Sequence, residues 1–130
     1  MVAHQSVLLS SLAVAVGLLF STASFAGSAN GTWLRPTNGA HIVVFDCDGG
    51  LGMKVDTAPE PENVGKTIMC GAKRTDDDKW QGSILNLDNG KTYSGYVTLN
   101  GDNLTMSGCV LGGLICSTET WSRKLRRPRH

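Results

Sequence analysis

Thr92-Tyr93-Ser94-Gly95-Tyr96-Val97-Thr98-Leu99-Asn100-Gly101-Asp102-Asn103-Leu104-Thr105-Met106-Ser107-Gly108-Cys109-Val110 is the stretch that decides the fold. Two β-type runs, Thr92 to Leu99 and Leu104 to Val110, flank an Asn-Gly-Asp-Asn turn, and Tyr93, Gly95, Val97 and Leu99 share one face of the first by period-two alternation. A hairpin satisfies both the alternation and the turn chemistry.

Working outward, the same grammar repeats. Downstream, Leu111-Gly112-Gly113-Leu114 turns the chain into Ile115 to Arg123. Upstream, Asp88-Asn89-Gly90 leads back to Trp80 to Asn86, and Asp76-Asp77-Asp78 leads back to Thr67 to Ala72. Before these, the loop Asp56 to Gly65 carries Pro59 and Pro61, which fix backbone angles and remove two donors, so it crosses the surface. Leu51 to Val55 aligns Leu51, Met53 and Val55; His41 to Cys47 places His41, Val43, Phe45 and Cys47 on one face; Thr32 to Arg35 ends at Pro36. After the leader no segment has apolar residues at helical spacing. The chain reads as all-β, with about eight strands joined mostly by tight turns, hence an antiparallel up-and-down barrel. A two-sheet β-sandwich is the alternative.

Ahead of this domain, Val7 to Phe20 is free of charge and is followed by Ser24-Phe25-Ala26, small residues at −3 and −1 of a cleavage site. Residues 1–26 therefore read as a secretory signal peptide, although no Lys or Arg precedes the apolar run. That run is short of the ~20 residues a spanning helix needs, which disfavours the alternative of an uncleaved anchor. The barrel is expected over residues 27–123 and a basic tail over 124–130. The expected location is the periplasm or beyond, with no stable membrane insertion once the leader is removed.

Lys124, Arg126, Arg127 and Arg129 account for four of the twelve basic residues, so the rest of the chain holds eight against eleven acidic ones. That balance excludes the clustered basic face a nucleic-acid binder needs.

An even cysteine count in a short exported chain favours disulfides. Cys109 and Cys116 are symmetric about Gly112-Gly113 and would face each other across a hairpin, leaving Cys47 with Cys70. Four cysteines allow two other connectivities. Such bridges contribute roughly 2.5 and 3.5 kcal/mol by the loop-entropy argument, which matters in so small a domain.

No metal site or cofactor is expected: there is no C-x-x-C, and His41 and His130 are the histidines outside the leader. Gly49-Gly50-Leu51-Gly52 lacks the Gly-Lys-Ser/Thr and helix of a phosphate cradle. Asp46 and Asp48, Glu60 and Glu62, and Asp76 to Asp78 sit beside Gly or Pro or in a charge run, as turn formers do. His41 at a strand start reads as structural, so no catalytic residue is assigned and the protein is expected not to be an enzyme.

Gly31-x-Trp33 opens the first strand and Trp121-Ser122-Arg123 closes the last, so in a closed barrel Arg123 can cover the Trp33 indole; Trp33, Trp121 and Arg123 are assigned structural roles. This pattern resembles the lipocalin or calycin signature. Lys79-Trp80-Gln81-Gly82-Ser83-Ile84, Asp88-Asn89-Gly90-Lys91-Thr92-Tyr93, Leu99, Leu104, Ser107-Gly108-Cys109 and Thr120-Trp121-Ser122-Arg123 together resemble the domain of unknown function 2147 family of exported proteobacterial proteins. The resemblance implies a lipocalin-like barrel of no established activity and a fatty-acid-like or other apolar ligand. Pro59 to Gly65 is compact where many members of that family are longer and richer in cysteine.

The functional expectation is a binding barrel whose interior, lined by Phe45, Met53, Met69, Ile84, Tyr93, Val97, Leu99 and Met106, holds a small apolar molecule. Two alternatives stand beside it. One is a pocketless structural or stress-related envelope protein. The other is a protein-binding module, since Asn89-Gly90-Lys91-Thr92-Tyr93 resembles the Ser-Gly-x-x-Tyr loop of periplasmic lysozyme inhibitors with Asn in place of Ser.

Overall fold

The turns marked by Gly, Asn and Asp reverse the chain between neighbouring strands, and the strands close on themselves. The computed structural model describes residues 28–125; the expected leader, residues 1–26, and residues 126–130 of the basic tail lie outside the described residues. In chain order the strands are β1 (Gly31–Leu34), β2 (His41–Cys47), β3 (Gly50–Thr57), β4 (Thr67–Asp76), β5 (Lys79–Leu85), β6 (Thr92–Asn100), β7 (Asn103–Val110) and β8 (Ile115–Arg123). Each pairs antiparallel with the next, and β8 returns to β1 through Trp33 opposite Arg123 and Leu34 opposite Ser122. The fold is thus an eight-stranded closed barrel, not a sandwich. Closure removes the sheet edges that a small β domain would otherwise expose.

Alternation sets what the barrel contains. Trp33, Val44, Met53, Met69, Val97 and Leu104 are fully buried and plug the lower interior. Arg123 caps this plug: its guanidinium carbon lies 4.4 Å from the centroid of the Trp33 ring, and its nitrogens donate to the Ser28 and Asn30 carbonyls. Trp33 Nε1 donates to the Ala29 carbonyl at 2.9 Å, so the buried indole is satisfied. The start of β1 and the end of β8 therefore meet at one end of the barrel. The β1–β2, β3–β4, β5–β6 and β7–β8 connections gather at the other, which forms the mouth.

Both disulfides form, Cys47 with Cys70 and Cys109 with Cys116. The second ties β7 to β8 directly below the turn. The first joins β2 to β4 across the intervening β3, and glycine makes that crossing possible: a Cβ on Gly52 would sit 2.5 Å from Cys47 Cβ, and one on Gly50 2.5 Å from the Ala72 carbonyl oxygen. The Gly-Gly-Leu-Gly run thus serves close approach of backbones.

One expectation is corrected here. Ile42 and Val44 are the inward residues of β2, so Phe45 lies on the outer face, beside Gly52 and with Lys54 Nζ 5.8 Å from its ring. Phe45 cannot line the interior. Four consecutive apolar residues, Ile42 to Phe45, gave both faces of β2 the same chemistry.

Candidate binding site

Three inner-facing glycines, Gly82, Gly95 and Gly108, stand opposite one another on β5, β6 and β7. At the first two the missing side chains are replaced by neighbours: a Cβ on Gly82 would meet Ala72 Cβ at 2.8 Å, and one on Gly95 would meet Met69 Cε at 2.7 Å. At Gly108 the nearest atoms, Ile84 Cγ2 and Tyr93 Cβ, are 3.8 Å away, an ordinary contact distance, so no neighbour is crowded into the position. Gly108 borders a cavity of about 250 Å³ beneath the mouth.

The cavity walls are Ile42, Val55, Ile68, Ile84, Met106 and Trp121, with Ala40, Ala58, Leu87 and Tyr93 above them. The rim is polar and comes from three connections: Arg35 and Asn38, Glu60 and Asn63, Asn86 and Asp88; Ser117 and Glu119 complete it from β8. The connections are held by their own backbones. Arg35 N–H donates to the Ala40 carbonyl and Gly39 N–H to that of Arg35, both at 2.9 Å. Asn86 and Gly90 close the β5–β6 turn with two 2.8 Å bonds, and Asn89 Nδ2 donates to Tyr93 Oη at 2.7 Å.

Arg35 and Glu119 form the electrostatic centre of the rim. Arg35 Nε and Nη2 donate to the two Glu119 oxygens at 2.7 and 2.6 Å, and Trp121 Nε1 donates to Glu119 Oε1 at 2.9 Å. Each side chain is about a quarter exposed. The Arg35 hydrogen bonds hold the Glu119 carboxyl below its ordinary pKa against the opposing effect of burial, helped by the Trp121 indole. Arg35 is raised in turn, chiefly by the same bond. Glu119 is therefore a fixed anion, unsuited to donate a proton at neutral pH.

A family model described as an uncharacterized protein conserved in bacteria (DUF2147) matches residues 31–123, from the first residue of β1 to the last of β8. The chain belongs to the DUF2147 family. No curated protein and no solved structure matches it.

Of the interior residues expected to line a site, the DUF2147 barrel brings Ile84, Tyr93 and Met106 to the cavity. Met53, Met69, Val97 and Leu99 are buried in the plug and packed against other side chains. Arg35 and Glu119 are site residues that composition and motif did not single out, and Asp88 reads in the sequence only as part of a turn. Glu119 had a signal: it shares parity with Trp121 and Arg123, so an inward Trp121 implies an inward carboxylate.

A second depression of about 510 Å³ lies at the far end, among Ser28, Asp46, Gly49, Gly50, Ala72 and Arg74. Arg74 lies 5.0 Å from the Trp80 ring there and occupies the aromatic face. Asp48 comes close to Cys47 and Cys70, but both sulfurs are consumed in the disulfide and offer no thiolate to a metal. His41 is outside the cavity lining, and Glu60 reaches the rim without Glu62.

Proposed function

We propose that this DUF2147 barrel is an exported, non-enzymatic binding module that takes a small, largely apolar molecule into its mouth. The observation that carries the reading is the 250 Å³ cavity with aliphatic and aromatic walls and a hydrogen-bonding rim, the usual composition of a small-molecule site. Its volume equals roughly eight waters at ~30 Å³ each. That favours a compact ligand over a long-chain fatty acid, whose tail would need the space filled by Met53, Met69 and Leu104. Two disulfides fit an oxidising compartment such as the periplasm, and among the described residues no helix is long and apolar enough to cross a membrane.

The test is displacement of a fluorescent apolar probe from the oxidised protein, repeated with Gly108→Val. Saturable binding, lost in a variant that still melts cooperatively, supports the reading. No binding by folded wild-type protein, or binding untouched by the variant, overturns it.

A second reading, a protein-binding envelope module, draws on the β7–β8 tip, where Leu111 and Leu114 are 69% and 85% exposed beside Val110 and Ile115. It takes the place of the first if the folded wild-type protein binds no apolar probe.

A further inference from the structure

We propose that the ligand of the mouth cavity is a small apolar amine, bound as its cation, and not a carboxylate. The inference rests on the cavity being a binding site and adds the charge of what it binds.

The lining holds three carboxylates, Glu60, Asp88 and Glu119, against one guanidinium, Arg35. An apolar carboxylate needs a free cation at the mouth, and the lining has none to give. Arg35 already spends Nε and Nη2 on Glu119 in a two-bond fork, the geometry a ligand carboxylate would demand. Seating an anion there means displacing Glu119, which also accepts from Trp121. Lys66 and Lys91, on the β3–β4 and β5–β6 connections at this end of the barrel, are both outside the cavity lining, and Lys66 turns to Asn63 Oδ1 at 3.3 Å.

An ammonium meets the opposite situation. The Glu60 and Asp88 carboxylates make no hydrogen bond or close ion pair among the described residues, interact with the Arg35 guanidinium only at longer range, and belong to the lining of a largely apolar chamber. Tyr93 and Trp121 add aromatic rings to the wall, and ring faces attract cations. The rim amides offer little competition: the Asn38 and Asn86 side-chain oxygens already accept backbone N–H groups of their own turns.

The experiment compares three probes with the same phenyl body by ligand-observed NMR titration at low salt: 2-phenylethylammonium, 2-phenylethanol and phenylacetate. The lining's net excess of two negative charges favours the ammonium over the carboxylate on the order of tenfold, with the alcohol between. The ratio falls in the Glu60→Gln/Asp88→Asn variant and holds in Asp76→Asn/Asp77→Asn, whose changes lie in the β4–β5 turn at the far end. Binding of all three without charge preference, or phenylacetate tightest, overturns the amine assignment and leaves the cavity reading standing. An equal fall in both variants assigns the preference to overall charge and overturns the local assignment. Failure of all three probes to bind folded protein overturns the cavity reading itself, and the amine with it.

Discussion

Cys47 reaches Cys70 over the top of β3, with Gly52 directly beneath the bridge. A bridge between strands that are not neighbours needs the middle strand to yield, and a residue with no side chain lets it. Gly52→Ala places a methyl group 2.5 Å from Cys47 Cβ. The expected cost is about 1 to 3 kcal/mol in urea unfolding of the oxidised protein. In a Cys47→Ala/Cys70→Ala background the same change costs less, because β2 and β4 are free to separate. An undiminished cost would place the strain elsewhere.

Glu119 makes stability depend on acid. Its carboxyl titrates lower in the folded protein than in the unfolded chain, so between those two values the unfolded state binds more protons. The contribution is complete above the unfolded value of about 4.3 and is lost as pH falls through the lowered folded value. Glu119→Gln is expected to flatten that part of the stability profile. At neutral pH it costs about 1 to 2 kcal/mol, since the pair is mostly buried and its loss strands Arg35. Chemical denaturation from pH 7 down to 3 reads both effects.

Gly82, Gly95 and Gly108 share a face yet respond differently to the same substitution. Gly82→Ala meets the backbone of β4, with Ala72 Cα at 2.9 Å, and is the most destabilising. Gly95→Ala meets the flexible end of Met69 and costs less. Gly108→Ala makes only ordinary contacts, 3.8 Å from Ile84 Cγ2 and Tyr93 Cβ, and is neutral or stabilising by up to about 0.5 kcal/mol, as expected for glycine replaced in a strand. Melting temperatures of the three variants test the order.

Arg123 guards the weakest seam. Only two residue pairs join β1 to β8, and Arg123 supplements them through the Trp33 ring, Ser28, Asn30 and Asp102. Arg123→Ala is expected to lose about 2 to 3 kcal/mol. Amide exchange should accelerate in β1 before it does in β6 and β7; uniform acceleration would show that the seam opens only with the whole barrel.

The legibility of this chain followed its polarity pattern. Ile115 to Arg123 was readable to the residue because a glycine turn and a change of composition bound it. β4 runs to Asp76, past the Ala72 that alternation suggests, because Lys73, Arg74 and Thr75 are exposed and carry no apolar face to announce a strand. The site was harder. Its walls use the same aliphatic residues as the plug, and which of them border empty space depends on Gly108 being unfilled while Gly95 is filled. That is a matter of three-dimensional packing between β4 and β6. Arg35 and Glu119 stand 84 positions apart, and nothing local links them.

Ser28 and Asn30, near the start of the described chain, are hydrogen-bonded to Arg123 near its end, and both leave the barrel opposite the mouth. Orientation follows from this. Held close to Ser28 or Lys124, on a sensor surface or through a rigid fusion, the barrel turns its cavity away from the support and toward solution.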